Sequence, residues 1–138
     1  MKSLSLKIIT PEKTVFSGPV SSMTVPAVDG GIGILPGHAP LVTALDTGRA
    51  SVTGADGKVT WYAISGGFLE VADNEVRVLA DVGEPGDEID EERARKAEQR
   101  ARERLRERKA ADFDLARAEA ALARAVTRLR LAEFLKRR

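Results

Sequence analysis

Four arginines stand at spacings that place guanidinium groups on common helix faces: Arg93 and Arg100 seven residues apart, Arg124 and Arg128 four apart. If both stretches are helical and close on each other, the four groups gather into a cluster. Such a cluster suits a polyphosphate or an acidic protein surface, because the planar guanidinium fork binds oxyanions bidentately. The same residues also read as a solvated charged face laced with Glu98, Glu103, Glu107 and Glu119, and spacing alone leaves both readings open.

The other residue able to do chemistry is His38, the one histidine of the chain, in the run Gly30-Gly31-Ile32-Gly33-Ile34-Leu35-Pro36-Gly37-His38-Ala39-Pro40-Leu41. Glycines open backbone angles closed to other residues, while Pro36 and Pro40 fix φ and remove donors. Gly30 to Leu41 is therefore expected to be a rigid irregular loop between strands. The imidazole is either presented by that loop for a purpose or simply hydrogen-bonds the backbone of a tight corner.

Nothing in the composition builds a catalytic centre. There is no cysteine, which removes disulfides, thiol nucleophiles and zinc-thiolate sites and fits a reducing compartment. A single histidine with no glutamate at i,i+4 argues against the common metal and triad arrangements. The phosphate-cradling Gly-x-x-x-x-Gly-Lys-Ser/Thr and the strand-to-helix Gly-x-Gly-x-x-Gly are absent. No catalytic residue, no metal site and no required cofactor are expected.

These residues must be held by two unlike parts. Residues 1–89 carry six basic and eleven acidic residues, net −5, and residues 90–138 carry sixteen and ten, net +6. From Leu4 to Leu79 short β-rich runs alternate with turn residues. Leu4, Leu6 and Ile8 alternate with polar neighbours, Ser17-Gly18-Pro19 breaks the next run, Ala55-Asp56-Gly57 signals a hairpin, and Asp73-Asn74 a turn. Gly66-Gly67 reads as a bulge or a close backbone approach. Nine or ten strands at this spacing imply an antiparallel β-sandwich or flattened barrel.

The strand pattern stops at Gly83-Glu84-Pro85-Gly86, and from Asp90 the composition turns to Ala, Arg, Glu, Leu and Lys, all strong helix formers. Asp87 or Asp90 can cap a first helix running to about Lys109, and Asp112 a second from Phe113 to about Leu135. Leu115, Ala118, Leu122, Ala125, Leu129 and Ala132 form an a/d seam that faces Ala94, Ala97, Ala101 and Leu105. A short connection makes the two helices antiparallel, and the alanine-rich seam makes the hairpin marginal, since burial is worth only about 0.8 kcal/mol per CH₂. The expected fold is α+β, an N-terminal antiparallel β-sandwich of about ten strands followed by a two-helix antiparallel hairpin, divided into 1–83, a linker 84–89, and 90–138.

Gly33 to Leu41, Ser65-Gly66-Gly67-Phe68-Leu69-Glu70-Val71, Val78-Leu79-Ala80-Asp81, Asp90 to Leu105 and Ala120 to Leu131 occur in this order, and together they resemble the epsilon subunit of bacterial and chloroplast F-type ATP synthase. The resemblance covers essentially the whole chain. It implies a non-catalytic subunit of the rotating central stalk, one copy per complex and monomeric when isolated, coupling proton-driven rotation to ATP synthesis. Its sandwich would bind the gamma subunit and the c-ring, with Gly30, Gly31, Pro36, Gly37 and His38 at the c-ring contact. Some members carry an acidic residue where this chain has Gly31.

The hairpin of the family extends among the catalytic alpha and beta subunits and inhibits ATP hydrolysis. In some bacterial members the folded hairpin binds ATP as a regulatory ligand through Ile/Leu-Asp-x-x-Arg-Ala, matched here by Ile89, Asp90, Arg93 and Ala94, with Arg100, Arg124 and Arg128 at the family's further basic contacts. The same short motif also reads as a helix start, so ATP binding stays open. The resemblance implies a peripheral protein at the cytoplasmic face of the bacterial cell membrane, held there only through the c-ring; no apolar run reaches the ~18 residues that span a bilayer. A free-standing nucleic-acid module built on the basic hairpin is the competing class, opposed by the scarcity of aromatics to stack bases.

Overall fold

The computed structural model describes residues 2–107 and 114–137. The chain divides into two compact units, 1–86 and 87–138.

Ten strands build the first unit: β1 (Leu4–Ile9), β2 (Thr14–Val20), β3 (Ser22–Ala27), β4 (Gly30–Ile34), β5 (Leu41–Ala44), β6 (Gly48–Thr53), β7 (Val59–Ser65), β8 (Phe68–Ala72), β9 (Glu75–Leu79) and β10 (Val82–Pro85). They form two five-stranded sheets, β2-β1-β9-β8-β5 and β10-β7-β6-β3-β4. Every pairing is antiparallel except that of β1 with β9, which is parallel.

Period-two alternation decides which side chains meet between the sheets. Leu4, Leu6 and Ile8 of β1, Leu69 and Val71 of β8, and Val76 and Val78 of β9 are buried with Met23, Val25, Ile34, Val52, Tyr62 and Ile64 of the opposite sheet in one cluster. Each fully buried Leu or Ile is worth about 1.5–3 kcal/mol. Asp73 and Asn74 both take positive φ, 50° and 61°, the geometry of a type I′ two-residue turn between β8 and β9.

Three expectations give way here. Gly30–Ile34 is not loop: it is β4, paired with β3 from Met23↔Ile34 to Ala27↔Gly30, so the irregular segment shrinks to residues 35–40. Ser17-Gly18-Pro19 does not break a strand either, because β2 lies at a sheet edge, where a proline without N–H is tolerated. The linker expected at 84–89 is shorter: Glu84 and Pro85 belong to β10, pairing with Ala63 and Tyr62, and a short 3-10 turn covers Gly86–Glu88, where the two units meet in sequence.

Gly67 carries the closest backbone approach. Its φ is +102°, and a Cβ there would sit 1.9 Å from the carbonyl oxygen of Leu79, so only glycine fits. Close approach was one of the two alternatives that the glycine pair suggested.

The second unit is a helical hairpin of α1 (Glu91–Arg106) and α2 (Leu115–Arg137), packed against each other. Asp90 is the N-cap of α1, its carboxylate accepting the Arg93 N–H at 3.0 Å, with Glu91 and Glu92 in the first turn where the helix dipole favours them. α1 ends at Arg106, earlier than expected; Lys109 lies outside the described residues, as do Asp112 and Phe113. Asp114 accepts the Arg117 N–H at 3.1 Å at the start of α2. Ala94 and Ala101 are buried on α1, and Ala118, Ala125 and Ala132 on α2, as the seam requires, but Leu115 is 43% exposed.

Candidate functional site

Residues 35–38 form a turn closed by the His38 N–H donating to the Leu35 carbonyl at 3.1 Å. Proline at its second position and Gly37 at its third, with φ +82°, are what a type II turn needs. The His38 ring is occupied locally: Nδ1 lies 2.7 Å from the Ala39 carbonyl, which can only accept. Nδ1 therefore carries a proton toward that carbonyl, while Leu35 nearby in the turn is 64% exposed.

Sequence reading missed the residue that holds this turn. Asn74 accepts the Gly37 N–H on Oδ1 at 2.9 Å and donates from Nδ2 to the Ser3 carbonyl at 2.9 Å. The dipeptide Asp73-Asn74 signals a turn, but nothing local says where its carboxamide points.

The structure brings Pro36, Gly37 and His38 together, and not Gly30 and Gly31. Those two sit at the opposite end of β4, and Gly31 is about 13 Å from Leu35 at the ~3.3 Å rise of a strand.

A second surface was also missed. Leu69 and Val78 point into the core, so their neighbours Phe68 and Leu79 point out, and they face each other across β8 and β9. Phe68 is 57% exposed, Leu79 44%, and Val42 on the adjoining β5 71%. Large apolar side chains side by side on the solvent face of a sheet mark an interaction surface. The alternation Phe68-Leu69-Glu70-Val71 carries the signal, since Phe68 shares its face with a charged residue.

On the hairpin, Lys136 pairs with Glu91. Counting inward from that pair, Ala94 is three residues along and Ala132 four, Ala101 ten and Ala125 eleven, so the seam alanines lie level. Arg93, Arg100 and Arg124 each directly precede a seam alanine, and in an antiparallel pair that position falls on the same flank of both helices. Arg128, one turn beyond Arg124, joins them. Arg100 is level with the stretch from Arg124 to Arg128, and Arg93 lies two turns nearer the free end. Glu91, Glu98 and Lys136 fall on the opposite flank. Asp90 and Ala94 are spent on structure, one as cap and one in the seam, and Ile89 stands half-buried before the cap.

Glu91 also accepts from Arg95 at 2.9 Å, and Arg102 pairs with Glu98 at 3.1 Å. The Lys136 ammonium, by its hydrogen bond, is the main cause holding the Glu91 carboxyl below the ordinary carboxylate range; partial burial opposes this, and Arg95 adds to it.

Residues 3–86 match the family described as ATP synthase, Delta/Epsilon chain, beta-sandwich domain, and residues 87–133 match ATP synthase, Delta/Epsilon chain, long alpha-helix domain. The chain is 48% identical over 132 residues to the ATP synthase epsilon chain of Desulforamulus reducens, covering 96% of this chain and 98% of that one. It is 49% identical over 136 residues to the epsilon chain of Symbiobacterium thermophilum, covering 98% and 96%. Among solved structures it resembles a chain of the Euglena gracilis mitochondrial ATP synthase, determined as OSCP/F1/c-ring, with a TM-score of 0.70 and 27% identity over 99% of this chain and 81% of that one. The two matched domains occupy the sandwich and the hairpin in turn, and the chain belongs to the ATP synthase delta/epsilon chain family.

Proposed function

We propose that the chain is the epsilon subunit of the rotating central stalk of an F-type ATP synthase, non-catalytic itself, with its sandwich bound to the gamma subunit and the c-ring. The observation that carries this reading is the exposed pair of Phe68 and Leu79, facing each other across β8 and β9 on one sheet of the sandwich, with exposed Val42 diagonal to Phe68 on β5. It is the surface of a protein that works docked, and it suits the stalk partner, gamma. The turn Pro36-Gly37-His38, stiffened by a proline and tied to the sandwich, is the c-ring contact. A loop that transmits torque between ring and stalk should not yield.

The hairpin is the regulatory part. Its alanine seam holds α2 weakly, and its net positive charge complements an acidic surface of the catalytic alpha and beta subunits, where the extended hairpin blocks hydrolysis. The single flank shared by Arg93, Arg100, Arg124 and Arg128 supports ATP as the ligand of the closed form. At 100 times its dissociation constant, ATP confined to that form would stabilise it by about 2.7 kcal/mol. No helix among the described residues is long and apolar enough to cross a membrane, and attachment runs through the c-ring at the cytoplasmic face.

Binding of the full chain to a gamma–c-ring subcomplex tests the docking face. Phe68→Glu should weaken it about 30-fold, the loss typical of a central apolar anchor. Undiminished binding by that variant would exclude the face as the interface.

A further inference from the structure

We infer that Asn74 is the positioning residue of the Pro36-Gly37-His38 turn, fixing it for its contact in the rotor. The inference rests on the reading of that turn as a contact surface and adds the residue that sets its place.

Three segments that meet nowhere else in sequence converge on Asn74. The turn lies between β4 and β5, which belong to different sheets, so no ladder holds it. Ser3 lies just before β1, and Asn74 itself ends the turn between β8 and β9. The Asn74 carboxamide accepts from Gly37 and donates to Ser3, and the Asn74 backbone carbonyl accepts the Ser5 N–H at 3.1 Å. The amide accepts on one atom and donates from another; aspartate could do the first and not the second. Its φ of 61° is one that asparagine tolerates and most residues do not, so the backbone that closes the β8–β9 turn is also the one that carries the amide.

The contact surface is therefore assembled at a distance: the residue that fixes the turn is 37 positions away in the sequence and outside the turn itself. The Gly37 N–H is the atom through which the turn is held, one residue before His38.

Asn74→Gly accepts the same φ and removes both side-chain bonds; Asn74→Asp keeps the bond to Gly37 and removes the one to Ser3. Amide hydrogen exchange on the full chain reads the clamp, and ATP-driven proton pumping by the complex reassembled with each variant reads the function. Asn74→Gly should speed Gly37 exchange about five-fold, the loss expected for one net hydrogen bond, while Asn74→Asp retains the protection. Pumping should fall with Asn74→Gly and with His38→Ala, the latter leaving Gly37 exchange unchanged. Unaltered Gly37 exchange in folded Asn74→Gly, or equal loss in both variants, overturns the clamp. Faster exchange with full pumping, while His38→Ala impairs pumping, overturns the positioning role alone. Full pumping by His38→Ala as well removes the contact reading and the inference together.

Discussion

Lys136, in the last turn of α2, closes on Glu91, in the first turn of α1, and so joins the two ends of the hairpin that lie farthest from its connection. A contact between chain positions 45 residues apart at the open end exists only while the hairpin is closed. Opening the hairpin must break it.

Lowered pKa fixes the direction of its pH dependence. Glu91 is held below the ordinary carboxylate range in the closed hairpin, so its contribution is present above that range and is lost as pH falls through the lowered value. Lys136→Gln should move the Glu91 titration back up toward the ordinary range and speed amide exchange in the last turns of α2 at neutral pH. Carboxyl NMR titration against the parent chain gives the first readout. An unmoved Glu91 titration would mean that the clasp does not persist in solution.

Where the chain is cut should matter to the residue. After Gly86, the ten strands stay intact; after Gly83, β10 loses Glu84 and Pro85, which pair with Ala63 and Tyr62. Ending the chain at Gly83 should cost about 1 kcal/mol for each ladder bond lost, seen as a lower thermal midpoint than that of the chain ending at Gly86. In the reassembled complex, the chain ending at Gly86 should still assemble and should raise ATP hydrolysis. Equal midpoints would show that the Glu84 and Pro85 pairings of β10 add nothing to the sandwich, and unchanged hydrolysis would remove the inhibitory role of the hairpin.

That cut also shows how far the sequence could be read. Gly83-Glu84-Pro85-Gly86 looks like punctuation because glycine and proline dominate it, yet β10 is an edge strand, the one place in a sheet where proline costs little. The same physics hid Pro19 in β2. Gly30–Ile34 misled for a related reason, since its three glycines outweigh Ile32 and Ile34, the two residues that announce a strand, and only pairing with β3 makes it one. What was legible was local: the alternation of β1, the turn at Asp73-Asn74, Asp90 as one of two candidate caps, the alanine seam. What was not legible was a contact between distant segments, such as Asn74 with Gly37, or the apolar row of Phe68 and Leu79, visible only once register is known.

Gly67 gives a sharp test of the close approach between the β7–β8 corner and Leu79. A methyl group there meets the Leu79 carbonyl at 1.9 Å, a distance no repacking of side chains relieves, and the φ of +102° is itself strained for any other residue. Gly67→Ala should destabilise the sandwich by on the order of 3 kcal/mol, while Gly33→Ala, with open space and no positive φ, should change it by less than about 1 kcal/mol. Chemical denaturation of both variants decides it; a Gly67→Ala chain as stable as its parent would mean the corner is laxer than drawn.

The arginine flank can be separated from the rest of the hairpin's charge by geometry. Arg95 pairs with Glu91 and Glu92 on the side away from Arg100, Arg124 and Arg128, so it carries the same charge in the same helix without sharing their flank. If ATP is held by that flank, Arg100→Ala and Arg124→Ala should each weaken it about tenfold or more, the loss of a charge-assisted hydrogen bond, and Arg95→Gln should leave affinity unchanged. Calorimetry on the full chain distinguishes three cases. The expected pattern supports a defined site, a uniform fall across all three variants indicates attraction to net charge alone, and absence of any heat at millimolar ATP removes nucleotide as the ligand of the flank. Raising salt sharpens the contrast, because screening weakens diffuse attraction by exposed charges more than a bidentate bond in a closed hairpin.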